Sequence, residues 1–211
     1  MQKSPEIAIP QAVHTLPVME TFYSVQGEGH HTGKAAFFIR LGGCDVGCSW
    51  CDVKESWEAD RHPHIKISHL ASQAKESGAE IVVVTGGEPT LYNLEELTSE
   101  LRALGLQTHL ETSGTNPVTG EWHWICFSPK KFKPPVPEIY QQADELKVVV
   151  FNKHDLQWAA GHGELVTPKC KLFLQPEWSK REQVAGLIAE YVMEHVRWRI
   201  SLQTHKYLNL P

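Results

Sequence analysis

Apolar residues along this chain come in short, unbroken runs, separated by segments whose apolar positions recur every three or four residues. The runs lie at Phe37 to Ile39, Ile81 to Thr85, Thr108 to Glu111, Leu146 to Val150, Leu172 to Gln175 and Ile200 to Gln203. They are β-branched and continuous rather than alternating, the pattern of strands in a parallel sheet covered on both faces. Between them, helical spacing follows polar starts. Ser68 precedes His69 to Lys75. Asn93, with Glu96 three residues on, precedes Leu94, Leu97, Leu101 and Leu104; Ser179, with Glu182, precedes Val184, Leu187, Ile188, Tyr191 and Val192. The last two read as capping boxes, and a fourth, shorter helix is predicted after Asn152. Alternating strands and helices predict βα units with right-handed crossovers. The fold class is therefore α/β, a mostly parallel sheet of six strands with three clear helices, forming an open or partial barrel smaller than the eight-stranded one. Met1 to Val18, with Pro5, Pro10 and Pro17 and little periodicity, reads as an N-terminal arm, and residues 19–211 as a single domain.

Such sheets bind ligands at the carboxyl ends of their strands, and the polar, glycine-rich segments fall there. CDVGCSWC (Cys44 to Cys51) follows the first run, TGGEP (Thr85 to Pro89) the second and ETSGT (Glu111 to Thr115) the third. SPK (Ser128 to Lys130) follows the apolar stretch Trp124 to Phe127, LQPE (Leu174 to Glu177) ends the run begun at Leu172, and QTHKYLNLP closes the chain. One pocket could collect all six.

Cys44, Cys48 and Cys51 have C-x3-C-x2-C spacing, which suits a 4Fe-4S cube that leaves one iron without a protein ligand and open to a substrate or cosubstrate. The alternative is a structural zinc site completed by a histidine, Cys126 or Cys170, although neither distant cysteine has a close partner. Trp50 offers a flat face for a purine, or else packs in the core. Two glycines after a buried strand let a ligand approach the backbone or simply turn the chain, and Glu88 beside them can accept from an ammonium group. Arg40 carries a fork suited to a carboxylate; its plainer role is a surface pair at a strand end. His30 and His31 read as loop residues, the GEG before them as a turn, and Cys126 and Cys170 as small buried hydrophobes.

Composition narrows the compartment and the partners. The 211 residues suffice for a core without disulfide staples. Five cysteines, an odd number with three of them packed together and no charged-then-apolar leader before them, argue against a secreted disulfide framework and for the reducing cytoplasm. The longest apolar run, Ile81 to Val84, falls far short of the roughly 20 residues that span a bilayer. A net charge of -5 gives no field for nucleic acid, so the expected ligand is a small molecule.

CDVGCSWC followed by TGGEP resembles the radical S-adenosylmethionine (SAM) superfamily, with an aromatic residue before the third cysteine and a GGE segment for the methionine part of SAM. The closer resemblance is to the 7-carboxy-7-deazaguanine synthase family. It is carried by FYSVQGEGHHTGKAAFFIRLGGC, VVVTGGEP, ETSGT, SPK, LQP and LQTHKYLNLP, in family order from Phe22 to Pro211. The resemblance implies a six-stranded, three-helix radical SAM barrel and a lyase reaction. In that reaction the cluster cleaves SAM to methionine and a 5′-deoxyadenosyl radical. Hydrogen is then removed from C6 of 6-carboxy-5,6,7,8-tetrahydropterin, the ring contracts, ammonia leaves, and 7-carboxy-7-deazaguanine, a queuosine precursor, is formed. Cluster and SAM do the chemistry, so no catalytic side chain is implied.

Carried over by motif, Cys44, Cys48 and Cys51 would hold the iron–sulfur cluster. Trp50, Cys51, Asp52, Gly87, Ser113, Ser128, Pro129, Lys130, Gln175, Pro176, Glu177 and Trp178 would bind SAM. Val25, Gln26, Gly27, Arg40 and Thr85 would bind the substrate, with Pro211 reaching it from an ordered tail. The resemblance further implies a homodimer and an external electron donor such as a flavodoxin. One position departs from the family, which commonly has Thr or Ser after the Cys-Asp pair to ligate magnesium. Val53 has no oxygen to give, so weak or absent magnesium dependence is expected. Two other readings stay open: a glycyl-radical-activating enzyme, which leaves VQGEG and HKYLNLP unexplained, and a zinc-stabilised binding module without catalysis.

Overall fold

The apolar runs become neighbouring strands of one curled sheet in the computed structural model, which describes residues 14–211. In chain order the elements are β1 (Thr15–Val25), β2 (Ala35–Leu41), β3 (His64–Lys66), α1 (Ile67–Glu76), β4 (Ile81–Gly86), α2 (Glu95–Ala103), β5 (Gln107–Thr112), β6 (Trp124–Phe127) and α3 (Ile139–Gln142). They continue with β7 (Glu145–Val150), α4 (His154–Leu165), β8 (Lys171–Pro176), α5 (Arg181–Glu194), β9 (Trp198–Ile200) and α6 (Thr204–Leu208). The strands lie in the order β3-β1-β2-β4-β5-β6-β7-β8-β9. β1 is antiparallel to β2 and β3, and every pair from β2 to β9 is parallel. The α/β class and the mostly parallel sheet are as expected.

Three expectations about the elements need correction. The sheet has nine described strands, not six, because the mixed sequence of β1 and the three residues of β3 carry no apolar run, and WICF in β6 is short. Residues Thr15 to Val18, assigned to the arm, open β1; Leu16 and Val18 are buried, so the sheet includes them, while the rest of the arm, apart from His14, lies outside the described residues. The last strand is Trp198–Ile200, ending where the sequence pattern began it, since the indole of Trp198 is the apolar anchor and Ile200 is exposed.

The helices also differ in detail. The fourth helix follows Asn152 as expected but is not shorter than α1 or α2: α4 spans twelve residues, and at its start the buried Asp155 carboxylate accepts from the backbone N–H groups of Phe151 and Asn152 and pairs with Lys131. α1 begins at Ile67, before Ser68. Neither capping box closes. Asn93 accepts from Glu95 N–H at 2.9 Å, but Glu96 turns to His14; before α5, Ser179 donates to Glu177 and Glu182 pairs with Arg181.

Alternation within the strands sorts the two faces. Phe37, Ile39, Val82, Val84, Leu110, Phe127, Leu146, Val148, Leu172 and Leu174 join Leu70, Leu97, Leu101, Ile139, Val184 and Ile188 of the helices in the main core. Burying each such side chain is worth about 1.5–3 kcal/mol. The helices cover one face only, and the sheet curls around its other face, as a partial barrel does. There a small apolar floor of Ala36, Phe38, Ile81 and Val83, with Phe22 stacked on Phe38 at 4.9 Å, gives way to polar residues toward the strand ends. The gap between β1 and β9 is bridged by loop contacts, Thr204 N–H to Gly27 O and Gly29 N–H to Ser201 Oγ, each 2.9 Å. This is the partial barrel.

Candidate active site

The cysteine loop is tied down before it reaches its thiols. Beyond β2, Gly43 N–H donates to Ser56 O at 2.6 Å and Cys44 N–H to Trp57 O at 3.1 Å, while Cys51 N–H closes a turn onto Cys48 O. From the neighbouring strand, Gly87 N–H donates to Leu41 O and Glu88 N–H to Gly43 O. A Cβ on Gly86 would overlap the backbone of Leu41, and one on Gly87 the carbonyl of Gly43. The paired glycines of TGGEP are therefore needed for backbone to approach backbone, and both also line a cavity.

That cavity, about 390 Å³, opens at the carboxyl ends of the parallel strands. Cys44, Cys48 and Cys51 line it as free thiols. Burial pushes the thiol of Cys44 up and that of Cys48 up to about 11, so deprotonation there needs a metal to take the thiolate. Among the described residues no three His, Cys, Asp or Glu side chains converge on a single ion. Three cysteines on one cavity wall suit a cluster that takes one thiolate from each.

Every residue that the resemblance assigned to SAM lines this cavity except Pro129. Trp50 is half-buried there, outside the hydrophobic core, with Lys130 Nζ 5.8 Å from its ring centre. Lys130 Nζ donates to Ser128 O and Oγ, both at 2.6 Å. Glu88 is not free to receive an ammonium group. Only 1% exposed, it accepts from Thr90 N–H and Oγ1, from Thr112 Oγ1, and from Ser113 N–H and Oγ, which fills both oxygens and pins the β4 loop to the end of β5.

The residues assigned to substrate, Val25, Gln26, Gly27, Arg40, Thr85 and Pro211, line the same space. Arg40 combines both of its suggested roles: Nε donates to Glu20 Oε1 at 2.7 Å and the guanidinium lies over Phe22, yet the side chain borders the cavity. The tail is ordered. Thr204 Oγ1 donates to Gly27 O, Lys206 Nζ to Asp52 at 2.7 Å, and Ser24 Oγ to Pro211 O at 3.3 Å. Val53 lines the cavity too and brings no side-chain oxygen to it.

Sequence reasoning missed the charged floor between these groups. Lys147 Nζ, 4% exposed, donates to Glu28 at 2.5 Å and Glu111 at 2.8 Å; Gln203 donates to Glu28 and Gln26 to Glu111. Burial pushes Glu28 upward, but Lys147 outweighs it and holds Glu28 at about 2. The available signal was a lysine inside the apolar run ELKVVV. The GEG glycines are more than a turn: a Cβ on Gly27 would overlap His205, and one on Gly29 the carboxyl of Glu145. His30 and His31 form a 3₁₀ turn packed on Trp124 and His109, as loop residues. Cys126 and Cys170 are buried as expected, although Cys126 contacts Glu145 at 3.6 Å.

Comparison with known proteins gives this arrangement its lineage. The family description "Radical SAM superfamily" matches residues 38–126. A 7-carboxy-7-deazaguanine synthase of Flavobacterium psychrophilum is 53% identical over the whole of both chains, and one of Synechocystis 47% identical over 92% of this chain and 93% of that one. A crystal structure of QueE from Escherichia coli superposes with a TM-score of 0.81 at 31% identity, covering 89% of this chain and 93% of its own. These likenesses set aside the glycyl-radical-activating enzyme and the zinc-stabilised module. The chain belongs to the 7-carboxy-7-deazaguanine synthase family of the radical SAM superfamily.

Proposed function

We propose that this chain is a lyase that converts 6-carboxy-5,6,7,8-tetrahydropterin to 7-carboxy-7-deazaguanine with loss of ammonia. The observation that carries the reading is one cavity bordered by three free cysteines, the GGE segment, SPK, VQG, Arg40 and the final proline. When bound, the 4Fe-4S cluster and SAM supply one-electron cleavage and abstraction of hydrogen at C6 of the substrate.

The chain's own residues bind, orient and exclude water. Cys44, Cys48 and Cys51 hold the cluster. Trp50, Asp52, Gly87, Ser113, Ser128 to Lys130 and Gln175 to Trp178 hold SAM, the Trp50 ring offering its face to the purine. Arg40, with Nε held by Glu20, turns its remaining N–H donors to the substrate carboxylate. Gln26 and Thr85 with the carboxylates of Glu28 and Glu111 face the pterin N–H groups, and Lys147 pairs with both carboxylates beneath it and holds Glu28 ionised. Pro211 completes the wall.

A homodimer fits the exposed edge at β9, where Val196, Ile200 and Leu202 face solvent. An external donor such as a flavodoxin supplies the electron. A reducing cytoplasm suits free cluster-binding thiols, and no helix among the described residues is long and apolar enough to cross a membrane.

The test is an anaerobic assay with reductant, SAM and carboxytetrahydropterin. Deazaguanine product with 5′-deoxyadenosine is expected, from brown protein holding about four iron and four sulfide. SAM cleavage without product would reject the substrate and keep the superfamily; one colourless zinc would reject both.

A further inference from the structure

Glu145, a carboxyl 2% exposed on the inner face of the sheet, has no part in the chemistry proposed for the cavity. Register aligns it with Cys126, and Cys126 with Glu111, so it stands two strands behind a carboxylate of the substrate cavity. Its Oε2 accepts from the His30 backbone N–H at 3.0 Å and from the Trp124 indole N–H at 3.2 Å. The Cys126 thiol donates to Oε1 at 3.6 Å. Gly29, at φ +64°, has no room for a Cβ because Oε1 occupies that space. The turn that carries Glu28 is thus built around the Glu145 carboxyl.

The charges facing Glu145 do not favour a third anion. From the turn come Glu28, His30 and His31; from β5, His109 and Glu111; from β6, Cys126; from its own strand, Lys147; from around β8 and β9, Cys170, Lys171 and Arg199. Burial pushes His31 down to about 4 and His109 down to about 3, so both are neutral near pH 7, and Lys171 and Arg199 are exposed. Lys147 is already shared by Glu28 and Glu111. Burial pushes Glu145 up to about 7 against the pull of Lys147. A water-sized cavity of about 10 Å³ adjoins, lined by His31, His109, Glu111 and Glu145, and both ring nitrogens of His31 lack a partner among the described residues.

We propose that Glu145 is a positioning residue that works as a neutral acid: protonated, it seats the Gly29–His31 turn without adding charge, so Lys147 stays divided between Glu28 and Glu111 at the substrate. Ionised, it sets a third carboxylate against one ammonium and repels the carboxylate of the substrate. The inference rests on the substrate occupying the main cavity.

Substrate affinity of the anaerobic holoenzyme, measured from pH 6 to 8.5 for the native chain and Glu145→Gln, is the test. Native affinity is expected to weaken about tenfold as pH rises through neutrality, the effect of one unit of coupling, while E145Q keeps a flat profile. Parallel slopes would overturn the proposal. If E145Q fails to fold, infrared spectra of the native holoenzyme decide: a protonated-carboxyl band that fades between pH 6 and 8.5 supports it, and no such band overturns it. Native protein that binds no substrate at any pH would reject the substrate assignment and, with it, this proposal.

Discussion

At Val53 one side chain separates two cofactor requirements. A threonine there would bring a hydroxyl to the cavity wall, whereas valine brings methyl groups that cannot enter magnesium's oxygen shell. Turnover is expected to be unchanged after chelation and after magnesium is restored, and Val53→Thr to introduce a response; a steep magnesium requirement in the native chain would contradict this. The cysteines, Trp50 and Arg40 could be picked out from residue type and spacing alone. Glu88 could not, because a carboxylate next to two glycines looks available until the five donors of Thr90, Thr112 and Ser113 are seen around it. Gly27 and Gly29 were read as turn-formers for the same reason: their crowding neighbours, His205 and Glu145, lie more than a hundred residues away in sequence.

Among the elements, α6 and the three residues after it bring the end of the chain to the cavity. Asn209 in the left-handed region ends the helix, Leu210 N–H returns to His205 O, and the chain turns back so that Pro211 reaches Ser24. Because the terminus is seated this way, residues added after Pro211 are expected to weaken substrate affinity about ten- to a hundredfold, the scale of one lost hydrogen bond to a charged group at 1.5–3 kcal/mol. A C-terminal tag without effect on affinity would count against a seated tail. Helix positions followed from the apolar spacing, but their ends did not. The caps of α2 and α5 depend on where Glu96 and Ser179 find partners, and His14 and Glu177 offered better ones than the local backbone.

For the molecule as a whole, stability should depend on pH through buried groups of opposite sense. Between the ordinary value of 4.5 and about 7 the unfolded chain ionises Glu145 while the fold keeps the proton, so stability is lost as pH rises through that window, by up to roughly 3 kcal/mol. His109, held down at about 3 by burial, acts the other way: below about 6.5 the unfolded chain takes a proton that the fold refuses. The two offset between about 4.5 and 6.5. Glu145→Gln removes one side of the balance. It is expected to resist urea better than the native protein at pH 8 and to lose that advantage progressively toward pH 5; equal pH profiles would contradict this. What the sequence determined by itself is the alternation of six of the strands with the main helices and the grouping of the six polar segments at one end, because a βα repeat sends each loop after a strand to the same edge of the sheet. Only the tertiary structure decided which polar residues share the inner face. Lys147 meets Glu28 across 119 positions of chain, and Cys126 falls level with Glu145 through strand register; such pairings follow from how the sheet curls, which no local pattern encodes.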